Sequence, residues 1–167
     1  MRWKIPTSVL LVLALLIPAA SAAARTGSSG LDQTSCQTIV YTDIRALVTI
    51  DLNTASDIDV RVLADQIMAA AVAESLTMLP GRIQARLDGT ADDLRAFLKT
   101  NLLPTWSIDL RIAVNQTMPN AGSNVKAAAQ EALDNETIDA YVAYLNEGLC
   151  IARALDSASQ PAASASA

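Results

Sequence analysis

The sequence contains no histidine, and this absence excludes several classes of chemistry. Histidine is the commonest general base near neutral pH, so Ser-His-Asp and Cys-His catalysis are excluded. The only two cysteines stand far apart, and without histidine a structural zinc site lacks a ligand set. Glycine-rich phosphate loops are absent from the sequence as well. We therefore predict no cofactor and no metal, and we expect a protein that is not an enzyme.

Basic residues are also scarce. The chain has 12 Lys and Arg against 17 Asp and Glu, which gives a net charge of −5. No basic stripe interrupts this acidic background, so the chain lacks the electrostatic footprint that phosphate backbones and anionic lipids attract. Nucleic acid is disfavoured as a partner, and so is a membrane surface for the mature form.

The first 22 residues have the layout of a secretory signal peptide. Arg2 and Lys4 precede the apolar run VLLVLALLI at 9–17, and small residues follow at 20–22. A helix of nine apolar residues rises roughly 14 Å, against a hydrocarbon core of about 30 Å, so we favour cleavage over anchoring. Cleavage is predicted after Ala22, with Ala24 as the second choice. The mature protein would be secreted and extracellular, with ten basic residues against seventeen acidic ones and a net charge of −7.

Between the termini the composition predicts one domain at 36–155. Residues 23–35 and 156–167 are dominated by Gly, Ser, Ala and Pro, and we expect both segments to be flexible. Cys36 and Cys150 stand at the two edges of the domain, in a chain predicted to reach an oxidising compartment. A disulfide between them is the favoured interpretation, and two buried free thiols are the alternative.

One pattern occurs twice in the domain. IDVRVLADQIM at 58–68 returns as IDLRIAVNQTM at 108–118, which predicts tandem units at about 57–106 and 107–155. Apolar residues recur at helical spacing in the first copy, and the same face follows in the second. These positions are Val60, Leu63, Ala64, Ile67 and Ala71, then Leu110, Ala113 and Val114. Asp57 and Ser107 are predicted to cap the two helices, with Asp59 and Asp109 in the first turns.

The second halves of the units also match. ARLDGTADDLRAFLKTNL at 85–102 corresponds to EALDNETIDAYVAYLNEGL at 131–149, with one extra residue after Asp134. The first copy carries four extra residues that we place around 80–81, and loops are expected there and at 119–123. Thr90 and Asp93 resemble a capping box ahead of a helix with an apolar stripe at Leu94, Phe97, Leu98 and Leu102, repeated at Tyr141, Tyr144, Leu145 and Leu149.

The segment at 37–52 is rich in β-branched residues and is compatible with a strand. We favour a helix, because a single strand beside helical neighbours would lack a partner. The fold class predicted from the whole pattern is all-α, with six or seven helices in two repeat units, a leading helix and a terminal disulfide.

The matching segments resemble the ALF repeat family, short alanine-rich repeats with a characteristic Phe that occur mostly in secreted actinobacterial proteins. The resemblance rests on the segment 85–102 and on the Ile-Asp-x-Arg openings at 58–61 and 108–111, and it covers about 57–156. The second copy has Tyr144 for the family Phe and Asn135 for the turn Gly, which Asn can replace in the left-handed conformation. The resemblance implies location and architecture, and it supplies no catalytic residue.

Three residues are candidates for contact with a partner. Arg61 and Arg111 recur at equivalent positions, although repeated charges on helices are more often structural. Trp106 lies in an expected loop, Leu-Pro-Thr-Trp-Ser, and aromatic side chains are enriched at contact centres.

Carboxylate pairs could in principle perform acid–base chemistry, namely Asp57/Asp59, Asp92/Asp93 and Asp134/Glu136. Capping and helix-dipole effects explain all three. We therefore expect a secreted helical-repeat protein that binds a protein or cell-envelope partner. The alternatives are an inhibitor of a secreted enzyme and a carboxylate-dependent hydrolase.

Overall fold

The fold was analysed in a computed structural model that describes residues 39–159. Within this range all regular structure is helical, which confirms the all-α class. A 3-10 turn at Ile44–Leu47 precedes helices α1 (Asp57–Ala73), α2 (Leu79–Leu87), α3 (Ala91–Thr100), α4 (Leu102–Gln116), α5 (Ser123–Asn135) and α6 (Ile138–Ala143). A π-helical turn at Tyr144–Gly148 then joins α6 directly to α7 (Leu149–Ser159).

The helices follow the repeat in the sequence. Helices α1, α2 and α3 form the first unit, and α4, α5 and α6 form the second. Helix α7 begins at Leu149, the equivalent of Leu102 at the start of α4. Each unit is thus followed by a helix that begins at an equivalent residue, so α7 follows the second unit as α4 follows the first.

The predicted apolar faces form one core, as expected for helices that bury a single stripe. Val60, Leu63, Ala64, Ile67 and Ala71 of α1 are all buried. The equivalent face of α4 is buried too, and so is the stripe of the third helix in each unit, at Leu94, Phe97 and Leu98 and at Tyr141, Tyr144 and Leu145. The hydrophobic periodicity is therefore confirmed in both copies.

The prediction of a helix before the first unit is wrong. Residues 39–52 contain one 3-10 turn, in which Asp43 accepts a hydrogen bond from the Arg45 backbone N–H, and otherwise run without regular structure. Ile44 is fully buried and anchors the segment in the core. The segment is held further by Asn146 in the π turn, which accepts from Tyr41 N at 2.8 Å and donates to Tyr41 O at 2.9 Å.

The predicted helix starts need correction. The N-cap of α1 is Ser56, whose hydroxyl accepts from Asp59 N, and Asp57 is the first helical residue. Ser107 caps nothing, because α4 begins five residues earlier at Leu102 and carries Ser107 in its interior. The cause is Pro104, which suggested a loop but lies in the first turn of α4, where its missing N–H costs little.

The expected loop at 80–81 is also wrong. Pro80 and Gly81 lie in the first turn of α2, and the additional length of the first unit extends α1 beyond Gln66, the equivalent of Gln116, to Ala73. The other expected loop is confirmed, since a turn at 117–122 separates α4 from α5.

The extra residue after Asp134 lies in the turn between α5 and α6. Thr90 and Thr137 cap the third helix of their units in the same way, each accepting from the backbone N–H three residues on, so the insertion falls before Thr137. The left-handed residue of this turn is Glu136, with φ of 56°, and Asn135 is still helical. The predicted role of Asn135 is therefore wrong.

Several sequence predictions concern residues outside the described range. The signal peptide at 1–22, the segment at 23–35, Cys36 and residues 160–167 are among them. Cys150 lies inside the range and is buried at the start of α7, so the disulfide to Cys36 stays a prediction. The domain boundary at 155 is wrong, because α7 continues through Asp156 to Ser159.

Candidate functional site: two equivalent grooves

Trp106 does not lie on the surface. The residue belongs to α4 and its side chain is fully buried, with no hydrogen-bond partner for the indole Nε1 among the described residues. The predicted loop position is wrong for the reason given above, since the helix starts at Leu102. Trp106 contributes to the core and is not available as an exposed anchor.

The two repeated arginines have different environments. Arg61 donates from Nη1 to Leu87 O at 2.6 Å and from Nη2 to Gly89 O at 3.1 Å, and so binds carbonyls at the end of α2. This contact is structural, because carbonyls at a helix C-terminus lack partners within the helix. The Arg111 side chain is exposed and forms no hydrogen bond or ion pair with residues 39–159.

The first two acidic pairs take part in contacts at helix starts, whereas the third does not lie at a helix start, because Asp134 lies in the last turn of α5 and Glu136 follows its end. Asp57 pairs with Arg95 at 2.7 Å, and Arg95 also donates to Ala55 O, which fixes the chain ahead of α1 on α3. Asp59 accepts from the Ser56 hydroxyl and Asp93 from the Thr90 hydroxyl, both at 2.7 Å. These are the capping contacts that the structural interpretation expects. Within residues 39–159 no group of three or more acidic or cysteine side chains is arranged to hold a metal ion.

A buried carboxylate on another helix caps the start of α2. Asp109 on α4 is 1% exposed, and it accepts from Thr77 N at 3.1 Å, Met78 N at 2.9 Å and Leu79 N at 2.7 Å. Helix α2 has no capping side chain of its own at Met78. The backbone N–H groups of Leu79, the first residue of α2, and of the two residues before it are therefore satisfied by a residue about thirty positions further along the chain.

The second unit repeats this contact. Asp156 on α7 accepts from Asn124 N at 2.9 Å and Val125 N at 3.2 Å, at the start of α5. Burial alone would raise the pKa of Asp156, but the hydrogen bonds from Asn124 and Val125 hold it below its ordinary value. Because Leu102 matches Leu149, Asp109 matches Asp156. In each unit, then, the helix that follows caps the second helix, and this device was missed in the sequence.

Glu74 is a second buried acid, 3% exposed at the end of α1. Its Oε1 accepts from Thr42 N at 2.7 Å, and its Oε2 has no partner among the described residues. Burial raises the pKa of Glu74, although the hydrogen bond from Thr42 opposes the shift. Burial, together with the charge of Glu74, also raises the pKa of the neighbouring Tyr41. These groups hold the N-terminal segment against the bundle.

Two surface grooves occupy equivalent places in the two units. The first has a volume of about 280 Å3 and lies where α2, α3 and α4 meet. The second has a volume of about 340 Å3 and lies where α5, the α6–π segment and α7 meet. Five lining residues correspond through the repeat: Arg82 with Ala128, Arg86 with Ala132, Phe97 with Tyr144, Asn101 with Gly148, and Pro104 with Ile151.

The first groove, here called the basic groove, carries two arginines one turn apart on α2. Arg82 and Arg86 are both exposed, and neither guanidinium forms a hydrogen bond or ion pair with residues 39–159. The other lining residues include Phe97, Pro104 and Ile108, and Ile108 is 44% exposed. The groove thus combines an apolar surface with two available bidentate donors.

The second groove, here called the acidic groove, has the opposite charge. Alanines stand at both arginine positions, and Glu131 and Glu147 join the lining. Tyr144 replaces Phe97, and its hydroxyl shares a hydrogen bond of 2.7 Å with the Thr117 hydroxyl. Burial raises the pKa of Tyr144, although this hydrogen bond opposes the shift. The same architecture therefore presents two chemically different surfaces.

The grooves were not found in the sequence, although a signal was present. Arg82 and Arg86 are spaced by one helical turn and have no counterpart in the second copy. A search for positions at which the two repeats differ, and not for positions at which they agree, would have selected these two arginines. The sequence prediction named Arg61 and Arg111 because they recur, and of these two only Arg61 forms hydrogen bonds with residues 39–159 through its side chain.

The fold defines the class: an all-α protein of tandem three-helix units, each closed by the next helix. Residues 111–152 match the model of the ALF family, described as short repeats of unknown function. The matched segment runs from within α4 to the start of α7. Comparison with curated proteins and with solved structures found no match. Among residues 39–159 no helix has the length and apolar character needed to cross a membrane.

Proposed function

We propose that this protein is secreted, is stapled by a disulfide between Cys36 and Cys150, and works by binding an extracellular or cell-envelope partner. The layout of the first 22 residues supports secretion. Secretion in turn supports the disulfide, because an oxidising compartment favours pairing of two cysteines. Catalysis has no support from the residue types, since histidine is absent from the sequence.

The observation that carries the binding proposal is the pair of equivalent grooves. Both are open at the surface, and both are lined by side chains that differ between the units while the buried faces stay alike. A scaffold that keeps its core and varies its surface is typical of repeat proteins that act through their exposed faces. The partner in this proposal is a protein or another envelope component, and no nucleic acid is involved.

Capture by the mature protein tests this function. Oxidised protein from residue 23 onward would be immobilised and exposed to culture supernatant and envelope extract of the producing organism, with reduced and unfolded protein as the control. We expect a partner held by the folded form alone, and titration calorimetry with both purified proteins should then give a defined stoichiometry. Failure of every captured candidate to bind in the purified system would contradict the proposal.

A further inference from the structure

We propose that the basic groove binds a short acidic segment of a partner protein, in which carboxylates flank an apolar side chain. This inference rests on the proposed function, since it names the chemistry of the partner at one site. Four observations lead to it: the two arginines, the apolar surface beside them, the size of the groove and the composition of its equivalent.

The arginines supply the charge. Arg82 and Arg86 stand one turn apart on α2, so their side chains extend from the same face of the helix. Neither guanidinium is engaged by any of residues 39–159, in a chain whose net charge is −5. A guanidinium presents donors in a planar fork that fits a carboxylate, so a pair of them favours a segment with two acidic side chains.

The apolar surface selects against a free anion. Phe97 of α3, which is 5% exposed, lines the groove together with Pro104 and Ile108 of α4, and Ile108 is 44% exposed. An inorganic anion would leave this surface exposed. A segment that places a leucine-sized side chain between its carboxylates covers the surface and satisfies the arginines together.

The volume of about 280 Å3 sets the scale of the occupant. Pockets for whole small molecules usually range from roughly 300 to 1,000 Å3. The basic groove lies at the lower end of this range and is suited to the few side chains of a longer segment whose backbone continues over the surface. A nucleic acid fits poorly, because two arginines are far fewer cations than a phosphate backbone usually engages.

The acidic groove provides an internal control for the role of the arginines. Ala128 and Ala132 replace both of them on α5, and the second unit has the same helices and the same buried stripe without them. The scaffold therefore does not require Arg82 and Arg86 for folding. Their presence in one unit alone is explained by recognition.

The test uses a short peptide of the proposed chemistry. The probe is the capped pentapeptide Gly-Glu-Leu-Glu-Gly, titrated into the oxidised mature protein and followed by 1H–15N chemical shifts, which detect millimolar affinities. Two matched peptides carry Lys for both Glu, or Ala for Leu. Hexanoate and inorganic phosphate serve as small anions with and without an apolar chain.

The protein variants isolate the two arginines. Arg82→Ala/Arg86→Ala removes the charges of the basic groove, and Arg111→Ala is the matched control, because Arg111 is an exposed arginine on α4 that lies outside both grooves. Circular dichroism would verify that all three proteins have the same helix content and the same melting temperature.

We expect shifts around Arg82, Arg86 and Ile108 with the acidic peptide, retained in Arg111→Ala and weakened at least about tenfold in the double variant. The Lys and Ala peptides should both bind more weakly than the acidic peptide. Equal binding by the double variant, or by the Lys peptide, would overturn the proposal. So would the absence of any shift, or binding of hexanoate or phosphate as tight as that of the peptide. A purified partner whose affinity is unaffected by the double variant would leave the binding function intact and reject this site.

Discussion

Asp109 shows how one buried residue links two helices. Its carboxylate accepts three backbone N–H groups at the start of α2, and α2 lacks a capping side chain of its own. Asp59, the equivalent residue of the first copy, is exposed, and its carboxylate accepts from the hydroxyl of Ser56, the N-cap of its own helix. The two aspartates therefore occupy equivalent positions of the repeat, but only Asp109 caps a helix other than its own.

Asp109→Ala is expected to lower the free energy of unfolding by about 2–4 kcal/mol, because it leaves one buried and two part-buried backbone N–H groups without their acceptor. Asp59→Ala is the matched control, and we expect a loss of about 1 kcal/mol or less at that exposed cap. Urea denaturation followed by circular dichroism measures both. Equal losses at the two positions would show that the long-range cap of α2 contributes nothing beyond an ordinary one.

Glu74 predicts a specific pH dependence. Burial raises the pKa of its carboxyl above the ordinary value of 4.5, so the folded state binds the proton more tightly than the unfolded state does. The stability from this group is fully present below the unfolded pKa and is lost as the pH rises through the folded pKa. At pH values above the folded pKa, the buried carboxylate of Glu74 therefore contributes less to stability than it does at low pH.

Glu74→Gln removes the charge and keeps an oxygen that can accept from Thr42 N. We expect the variant to be more stable than the wild type at pH 7, with a difference that shrinks as the pH approaches 4. Thermal melts of both proteins between pH 4 and pH 8 give the comparison. A variant that is less stable at pH 7, or a difference that grows toward low pH, would contradict the sign of this effect.

At the scale of elements, the start of α5 depends on a close approach between two segments. A Cβ atom on Gly122 would lie 2.2 Å from Cγ of Asp156, so only glycine lets the carboxylate reach the N–H groups of Asn124 and Val125. The backbone of Gly122 has φ of −70°, which any residue can adopt. Glycine is therefore required at position 122 because a larger residue would collide with Asp156, and not because of its backbone conformation.

Gly122→Ala and Asp156→Ala should therefore be coupled. Each is expected to cost about 1–2 kcal/mol through loss of the same cap, and the double variant should cost little more than either one alone. Gly81→Ala on α2 is the control, since a Cβ atom there meets nothing within 4 Å and alanine favours a helix by about 0.5–1 kcal/mol. Additive losses in the double variant would show that Gly122 and Asp156 act independently.

The helices could be predicted from sequence where a periodic face was sufficient. The stripes from Val60 to Ala71 and from Leu94 to Leu98 are local patterns, and both are buried as expected. The predictions that were wrong concerned features that depend on contacts with neighbouring or distant residues. Pro104 indicated a loop, because proline disrupts a helix at most positions. This interpretation led to the wrong prediction that Trp106 lies on the surface.

The candidate site could not be predicted from recurrence. Asp109 caps a helix about thirty residues earlier, and no periodic pattern reports such a contact. The basic groove combines α2 with α3 and the start of α4, so its lining becomes visible only when three helices are placed together. The sequence did contain the pair of arginines, but their chemical meaning depends on Phe97, Pro104 and Ile108 beside them.

At the scale of the whole molecule, the predicted disulfide joins the chain ahead of the first unit to the helix that closes the second. Cys150 is buried at the start of α7, two residues before the buried Ala152 and six before the cap of α5 at Asp156. A bridge to Cys36 would close a loop of more than 100 residues. The chain-entropy account then gives up to about 4–5 kcal/mol of stabilisation.

Cys36→Ser tests the bridge without altering the buried position 150. We expect the oxidised wild type to show no free thiol and the variant to show one. The variant should melt at least about 5 °C below the oxidised wild type, which corresponds to a loss of roughly 1 kcal/mol or more. A reducing agent should lower the melting temperature of the wild type to that of the variant and leave the variant unchanged, because both then lack the same constraint on the unfolded chain. Two free thiols in the oxidised wild type would reject the bridge, and α7 would then be held by its packing and by Asp156 alone.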